Sequence, residues 1–302
     1  MRKATPVSDG LLSASDAQPP SEMPEIEARH VKDVYDSIAR EWHGTRYKSW
    51  PRVEEFVLSL PRGSLVADLG CGNGKMAPAC RQGGHFVLGI DISIELVRIC
   101  AHEQALEVAR PTGISPPSAL HAHLHGSPSW QAQAADVMQV PYRSGVFDAA
   151  LSIAVLHHVS SEPRRRLLLA ETLRVLRPGG LALVYAWAME QAGGRSGHTF
   201  ASQDVFVPFH QRAPSQGGKQ PAAAAAAGEE SGAGGGAEAA AAPEQQAVVH
   251  QRYCHVYREG ELRRLVESVP GASVVQEYYD TGNHCVLVRK GGEAEEASSC
   301  SG

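Results

Sequence analysis

The sequence is short of several features that would point to particular classes of protein. Its six cysteines include no C-x-x-C pair, which argues against a zinc knuckle or a disulfide framework and favours reduced thiols. Acidic residues outnumber basic ones, 33 to 28, so no global basic field holds nucleic acid, although a local patch or a partner could. No apolar run approaches the roughly 20 residues of a membrane span, and no secretory signal begins the chain. We therefore expect no membrane contact and a cytoplasmic location, and a nuclear location in addition is compatible with the sequence.

Three segments lack the apolar residues that a packed core requires. Residues 1–24 are rich in Ser, Pro and Asp, and residues 291–302 are polar, so we predict a disordered tail at each end. Runs of Ala and Gly over about 213–247 predict a mobile surface insertion. The rest of the 302 residues can bury one full-sized core, and we predict a single domain over 25–290.

Strand and helix patterns alternate between these segments, as expected of a mostly parallel sheet covered by helices on both faces. Strands are predicted at 64–69, 86–90, 133–137, 147–154, 181–186, 272–279 and 284–288, and helices at 94–108, about 161–177 and 259–269. Only four residues join the last two strands, so they form a hairpin and the last strand is antiparallel. The prediction is an α/β, Rossmann-like fold with a seven-stranded sheet.

A glycine-rich turn follows the first predicted strand and leads into a helix; it reads Asp68-Leu69-Gly70-Cys71-Gly72-Asn73-Gly74. Because glycine has no Cβ and permits positive φ, the backbone can approach a nucleotide-like ligand closely. The dinucleotide fingerprint needs a third glycine where Lys75 stands, and the Asp68 carboxylate would repel a pyrophosphate. The same carboxylate would attract a sulfonium with an amino-acid tail. The turn therefore predicts a site for S-adenosylmethionine.

Carboxylates also end the next two predicted strands. Asp91 stands where a carboxylate accepts hydrogen bonds from both ribose hydroxyls, and Asp136 stands where one can accept from the adenine amino group. The alternative is that each caps the helix or turn that follows it. Neighbours of the strand ends complete the predicted cofactor-binding set: Ile92, Val137 and Ala154.

Longer strings along the chain match known sequence patterns. D-L-G-C-G-N-G-K, G-I-D-I-S and S-I-A-V-L-H-H-V with L-R-P-G-G resemble the class I methyltransferases. The strings V-Y-D-S-I-A, T-R-Y-K-S-W-P-R-V-E-E-F, V-P-Y-R-S-G-V-F-D-A, Y-A-W-A-M-E-Q, Q-D-V-F-V-P-F-H, R-Y-C-H-V-Y-R-E-G-E-L and Y-D-T-G-N-H-C-V resemble the tRNA wobble-uridine carboxymethyl methyltransferases. The resemblance covers about residues 31–290, apart from 111–130 and the Ala/Gly insertion, which are both longer than we expect.

The resemblance implies a reaction and two partners. Such enzymes transfer the methyl group of S-adenosylmethionine to the carboxylate of 5-carboxymethyluridine at the tRNA wobble position, and they work with a small zinc-containing activator subunit that adds a strand to the sheet. Fold and cofactor do not fix the substrate, so a small-molecule methyltransferase and a non-catalytic, cofactor-binding partner subunit remain as alternatives.

Methyl transfer to a carboxylate needs no general base, because the acid is already ionised at neutral pH, so alignment dominates the chemistry. We therefore look for anchors of a carboxylate and a flat base. Two clusters qualify, one before the first strand and one after the insertion, and a histidine follows the fourth strand; the candidates are Arg46, Tyr47, His157, Arg252 and Tyr253. The alternative is that the aromatic rings pack in the core and the arginines are solvated.

Two other patterns are weaker evidence for a functional site. His121, His123 and His125 alternate among prolines and have no cysteine or carboxylate beside them, so we predict no metal site. The arginine runs at 164–166 and 263–264 could contact phosphates, or they could be solvated helix faces.

Overall fold

The computed structural model describes residues 4–45, 50–109, 130–191, 200–211 and 248–292. Its helices are α1 (Asp9–Asp16), α2 (Glu25–Glu27), α3 (Asp33–Thr45), α4 (Pro51–Ser59), α5 (Ala77–Gly83), α6 (Ile94–Ala109), α7 (Glu162–Val175) and α8 (Glu261–Glu267). A π-helical segment, Ala28–Lys32, joins α2 to α3, and a 3-10 turn, Leu156–His158, precedes α7. Its strands are β1 (Thr5–Pro6), β2 (Leu65–Leu69), β3 (Phe86–Asp91), β4 (Trp130–Ala134), β5 (Phe147–Ile153), β6 (Leu176–Trp187), β7 (Asp204–Gln211), β8 (Val248–His255), β9 (Ala272–Asp280) and β10 (Asn283–Lys290).

Seven strands form the main sheet, in the order β4-β3-β2-β5-β6-β10-β9. The first five are parallel, and β10 runs antiparallel to both β6 and β9. The inner strands read as nearly continuous apolar runs because helices cover both faces. One apolar cluster, which includes Leu69 and Ile90, packs against α7 and α8, and another, which includes Val66, packs against α4 and α5. The predicted α/β fold with a mostly parallel seven-stranded sheet and an antiparallel last strand is confirmed.

Two predicted strands differ from the structure by more than two residues at an end. The strand predicted at 133–137 is β4, which spans Trp130–Ala134. Trp130 pairs with Val87, and the ladder ends where Ala134 pairs with Asp91. Asp136 therefore follows the strand rather than ending it. The strand predicted at 181–186 is β6, which begins at Leu176 and continues through Pro178 and the following glycines, where the prediction placed a break. A shift in its register against β5 accommodates these residues.

A second, three-stranded sheet, β1-β7-β8, was not predicted. Its central pairing is an antiparallel ladder from Asp204 opposite His255 to Gln211 opposite Val248. The predicted insertion over about 213–247 and all but two residues of the predicted tail over 291–302 lie outside the described residues. Within the described part of the chain, no helix is both long enough and apolar enough to cross a bilayer.

The prediction of a disordered tail over residues 1–24 is wrong for residues 4–24, which form β1 and α1 and pack against the domain. Val7 is buried, and Ser15 Oγ lies 2.5 Å from Ser160 Oγ. Arg164 donates to the carbonyl oxygens of Pro20 and Glu22. Polar contacts to the backbone help to anchor this segment, and a shortage of apolar residues does not reveal such contacts.

The arginine run at 164–166 is divided by burial. Arg164 is 1% exposed and donates to the buried Glu27 carboxylate, with Nε–Oε1 at 3.0 Å and Nη2–Oε2 at 2.8 Å. Arg165 is also buried, and Arg166 is exposed and pairs with Glu162. Arg263 pairs with Glu267 on an exposed face. Arg164 and Arg165 therefore stabilise the fold and are not available to phosphates.

Replacing Arg164 with Met should lower the free energy of unfolding by about 3–5 kcal/mol, because the Glu27 carboxylate would stay buried without its partner. The matched change Arg166→Met should cost no more than about 0.5 kcal/mol, since that pair is exposed to solvent. Urea titrations followed by circular dichroism compare the two. Equal losses would show that the buried pair does not anchor the N-terminal segment.

Candidate functional site

A cavity of about 1240 Å³ opens at the carboxyl edge of the main sheet, beyond the ends of β2, β3, β5 and β6. The glycine turn and three carboxylates, those of Asp68, Asp91 and Asp136, line it together with Arg252, His157 and a group of aromatic side chains. Open parallel sheets bind their ligands at this edge, so this cavity is the candidate site.

The glycine turn keeps its shape through backbone hydrogen bonds. Gly70 N and Cys71 N both donate to Ile90 O, at 2.8 and 2.9 Å, and Gly74 N donates to Cys71 O at 3.0 Å. Gly70, with φ of +86°, has no room for a side chain, because a Cβ there would lie 2.2 Å from Val155 Cγ2. At Gly72 a Cβ would meet open space. The turn therefore presents bare backbone to the cavity.

Asp91 caps the turn that follows it, and its ribose-binding role stays a prediction. Its Oδ2 accepts from Gly72 N at 2.8 Å and its Oδ1 accepts from Ser93 N at 2.9 Å, so the carboxylate joins the glycine turn to the start of α6. It also lines the cavity, where a ribose hydroxyl can reach the remaining lone pairs. Burial first, and then the charge of Asp36, raise the pKa of Asp91 to about 6, while backbone hydrogen bonds, including those from Ser93 and Gly72, lower it.

The carboxyl group of Asp68 is in a less favourable environment than that of Asp91. It is 3% exposed, and no hydrogen bond to it is found in the part of the chain that the structure describes. Burial first, and then the nearby charge of Asp91, raise the pKa of Asp68 to about 7, while Lys75 lowers it. A cationic ligand in the cavity would stabilise the ionised form.

Of the other predicted cofactor residues, Ile92, Val137 and Ala154 also line the cavity, and Gly74 does not. Asp136 caps the turn that follows it, since its Oδ1 accepts from Met138 N at 2.9 Å, and it faces the cavity as well. Ala154 has a φ of +62°, in the left-handed region that non-glycine residues seldom adopt. Such backbone strain is typical of ligand sites.

Arg252 lines the same cavity and is a buried charge with unpaired hydrogen-bond donors. It is 4% exposed, and its Nε and Nη1 are buried without a hydrogen-bond partner among the described residues. Its Cζ lies 5.2 Å from the ring centre of Trp42, and 5.8 Å from those of Trp187 and Phe209. The cation is held by aromatic faces, which leaves its hydrogen-bond donors for an anion.

His157 lines the cavity as predicted and stacks on Trp187, with ring centres 4.8 Å apart. Burial first, then His158 and Arg252, lower the pKa of His157 well below its ordinary value. Its Nδ1 accepts from Trp187 N at 3.4 Å, so the neutral ring carries its proton on Nε2. His157 is therefore a neutral donor and a flat wall of the site.

His158 has a supporting role. Its Nδ1 donates to the carbonyl oxygen of Tyr253 at 2.8 Å, so its Nε2 accepts from Tyr35 Oη at 2.9 Å. Burial lowers the pKa of His158 to about 4. Cys254 Sγ lies near both histidines, but the two bonds of His158 occupy its ring nitrogens, so the group is bonded to the protein rather than open to a metal ion.

The prediction that Tyr253 anchors substrate is not supported by its position. Its side chain is fully buried away from the cavity, and its hydroxyl donates to Asp204 Oδ1 at 2.5 Å. Neighbouring residues of a strand point to opposite faces, so Arg252 and Tyr253 of β8 cannot both face the cavity. Arg46 and Tyr47 lie outside the described residues.

Four aromatic residues of the cavity wall were not predicted as site residues. Tyr35 and Trp42 come from α3, Trp187 ends β6, and Phe209 lies in β7. Three of these four lie within strings that carry the family resemblance, and only the fold brings them together. A search for aromatic residues within those strings would have found Tyr35, Trp187 and Phe209.

The residues at the acidic side fit S-adenosylmethionine. Asp68 lies buried without a hydrogen-bonded cation, which suits a sulfonium or an ammonium group. Asn73 Oδ1 is buried without a partner among the described residues and can accept from a ligand donor, since its Nδ2 is bonded to His43. The open space at Gly72 admits the ligand to the backbone.

Comparison with known proteins agrees with this site. Residues 67–184 match the family described as a methyltransferase domain. The chain is 36% identical over 276 residues to the tRNA (carboxymethyluridine(34)-5-O)-methyltransferase of Schizosaccharomyces pombe, covering 88% of this chain and 98% of that one. It is 32% identical over 299 residues to the tRNA (carboxymethyluridine(34)-5-O)-methyltransferase alkbh8 of Xenopus tropicalis, covering 88% of this chain and 41% of the relative.

The fold has solved counterparts. A chain in the complex between the Haloferax volcanii Trm112 methyltransferase activator and a methyltransferase superposes with a TM-score of 0.52 at 13% identity, over 87% of this chain and 98% of that one. The fold and site thus define a class I methyltransferase with S-adenosylmethionine as its cofactor. The chain belongs to the family of tRNA (carboxymethyluridine(34)-5-O)-methyltransferases. It spans 41–47% of the length of three vertebrate relatives.

Cofactor affinity should depend on pH through Asp68. Above its pKa of about 7 the carboxylate is ionised and attracts the cation, and as pH falls through 7 the attraction is lost. Affinity for S-adenosylmethionine should drop about tenfold from about pH 8 to about pH 6. Isothermal titration calorimetry across this range measures the slope. The Asp68→Asn variant should bind weakly with a shallower profile, because Asp91, whose pKa is about 6, still titrates at the lower end of this range; an equally steep profile in that variant would assign the titration to another group.

Proposed function

We propose that this chain transfers the methyl group of S-adenosylmethionine to the carboxylate of 5-carboxymethyluridine at the tRNA wobble position, giving the methyl ester. The single observation that carries the proposal is Arg252. A buried guanidinium with unpaired donors in the cavity wall suits an anionic ligand. A carboxylate matches its geometry, because two parallel N–H groups can hold both oxygens.

The two sides of the cavity carry opposite charge, and this suits the reaction. The cofactor side holds Asp68 and Asp91, and the substrate side holds Arg252 between neutral rings. When bound, the cofactor supplies a methyl group on a positively charged sulfur. Arg252 orients the carboxylate toward it, and the aromatic walls exclude water, so the attacking oxygen is both aligned and weakly solvated.

No general base is assigned, because the carboxylate is ionised at neutral pH. His157 and His158 support this view, since the lowered pKa of each keeps both rings neutral and adds no second positive charge beside Arg252. Neutral His157 offers its Nε2 proton to a substrate oxygen. The flat faces of Trp187 and Trp42 suit a pyrimidine ring drawn out of the anticodon loop.

The same geometry bears on the rival functions. A non-catalytic partner subunit has no need of a buried, unpaired cation facing the cofactor turn. A small-molecule methyltransferase would use the same cation for a free carboxylic acid, and only the substrate separates that reading from the proposal. The family to which the chain belongs favours tRNA.

We also propose that a small zinc-containing activator subunit binds this chain. The main sheet ends in two edge strands, β4 and β9, whose outer backbone groups have no neighbouring strand among the described residues. Such an edge accepts an added strand. The fold match to a chain from an activator complex supports the same idea. The cytoplasmic location stays a prediction.

Purified chain, alone and with an activator, should methylate tRNA that carries 5-carboxymethyluridine, and nuclease digestion followed by mass spectrometry should show the methyl ester. Cells that lack the protein should accumulate the free acid at the wobble position. tRNA without the carboxymethyl group serves as the control. Methylation of a free carboxylic acid without methylation of tRNA would select the small-molecule reading.

Replacing Arg252 with Met should lower kcat/KM for tRNA by about 100–1000-fold, because the anchor of the carboxylate is lost. Affinity for S-adenosylmethionine should stay within about threefold. The melting temperature should hold or rise, since an unpaired buried charge is removed. Steady-state kinetics, calorimetry and thermal unfolding provide the three readings.

Arg258→Met is the matched control, because Arg258 lies in the same string and is exposed. It should change kcat/KM by no more than about threefold. Arg252→Lys keeps the charge but not the planar pair of donors, and it should recover about a tenth of the activity. Full activity in Arg252→Met would remove the central support of the proposal.

A further inference from the structure

Helix α3 contacts both the residues assigned to the cofactor and those assigned to the substrate. Its buried residues Val34 and Ile38 pack with Phe209 of β7, which seats the helix against the second sheet. Because an α-helix completes a turn in 3.6 residues, side chains seven positions apart lie on one face. Two neighbouring pairs with this spacing have different partners; they are Tyr35 with Trp42, and Asp36 with His43.

The first pair contacts the residues assigned to the substrate. Tyr35 Oη donates to His158 Nε2 at 2.9 Å, and the ring centre of Trp42 lies 5.2 Å from Arg252 Cζ. The rings of Tyr35 and Trp42 also meet edge to face, with centres 5.3 Å apart. The position of α3 therefore determines where Trp42 meets the guanidinium of Arg252.

The second pair contacts the residues that shape the cofactor site. Ser93 Oγ donates to Asp36 Oδ1 at 2.7 Å, and the backbone N of the same Ser93 donates to Asp91 Oδ1 at 2.9 Å. Two helical turns after Asp36, His43 Nδ1 accepts from Asn73 Nδ2 of the glycine turn at 3.1 Å. Asp91 and Asn73 both line the cavity. Two hydrogen bonds thus join α3 to the cofactor site.

Further hydrogen bonds fix the carboxylate of Asp36 in place. Glu95 N donates to its Oδ1 at 3.3 Å, and Lys32 Nζ donates to its Oδ2 at 2.9 Å. Ser93 is fully buried, and its Oγ accepts from Leu96 N at 3.2 Å, so it caps α6 while it donates to Asp36. Asp36 therefore ties α3 to the first turn of α6.

We propose that Asp36 and His43 are positioning residues, which act through α3 to align the glycine turn with Arg252, so that cofactor and substrate each strengthen the binding of the other. A cofactor bound at the glycine turn fixes the partners of both residues and so orders α3. A helix that one ligand has already ordered costs the second ligand less entropy. Such coupling is reciprocal. The substrate half of this inference rests on the proposed function.

The first experiment needs no substrate. Hydrogen–deuterium exchange of the full chain, read by mass spectrometry with and without saturating S-adenosylhomocysteine, follows the amides of α3. In the native chain the ligand should slow exchange in this helix about tenfold. In the double variant Asp36→Ala/His43→Ala the slowing should be about twofold at most, while the glycine turn stays protected by the bound ligand.

The second experiment measures the coupling itself. Calorimetry gives the affinity for tRNA that carries 5-carboxymethyluridine, with and without S-adenosylhomocysteine, which lacks the sulfonium and so attracts no carboxylate directly. The ligand should raise this affinity about tenfold in the native chain, about threefold in Asp36→Ala, where the His43 bond remains, and hardly at all in the double variant. Asp36→Asn keeps an acceptor for Ser93 Oγ and should retain the native ratio.

Asp33→Ala is the matched control, because it removes an exposed carboxylate from the same helix; it should leave both readings unchanged. Ser93→Ala breaks the bond to Asp36 from the other partner and replaces Asp36→Ala if that variant fails to fold.

A purely structural role would lower the melting temperature of Asp36→Ala and leave the affinity ratio as it is in the native chain. That result overturns the proposal, and so does exchange in α3 that the ligand does not slow. If the native chain binds the modified tRNA no better than unmodified tRNA, the proposed function fails, and the exchange of α3 alone decides whether Asp36 and His43 order the helix.

Discussion

Two charges are buried in the cavity without a hydrogen-bonded counter-ion among the described residues, and the packed core compensates for their cost. Asp68 and Arg252 both line the cavity and are almost fully buried. Each such group costs free energy in the ligand-free protein because burial removes water; the nearby charge of Lys75 offsets part of the cost for Asp68, and aromatic rings offset part of it for Arg252. The main sheet offsets that cost through a core in which residues such as Leu69 and Ile90 are completely buried. The ligands then supply the missing charges.

Several elements of the site depend on this arrangement. Asp91 fixes the glycine turn to α6 and so keeps Asp68 aimed at the cavity. Trp42, Trp187 and Phe209 hold Arg252 without neutralising it. His157 and His158 are kept neutral by burial. The result is a preorganised site whose dipoles need little rearrangement when the substrate arrives.

The cofactor side could be predicted from the sequence because its determinants are local. A turn that needs Gly70 and a carboxylate at the end of β3 are visible within short strings. The substrate side depends on contacts between distant segments. Tyr253 was misassigned because β8 was not recognised as a strand, and alternation along β8 separates it from Arg252. Residues 4–24 were misjudged because hydrogen bonds to Arg164 and Ser160 hold them together with a few apolar contacts, such as that of Val7 with Ile26 and Tyr253.

The pairing of β7 with β8 has a consequence for how the family can vary. Gln211 and Val248 are opposite one another at the end of the ladder, and residues 212–247 connect them. Doubling the length of such a connection costs only about 0.6 kcal/mol of closure entropy. The ladder, not the connection, sets where Arg252 stands. The connection can therefore become longer or shorter, or change in sequence, during evolution while Arg252 keeps its position in the ladder.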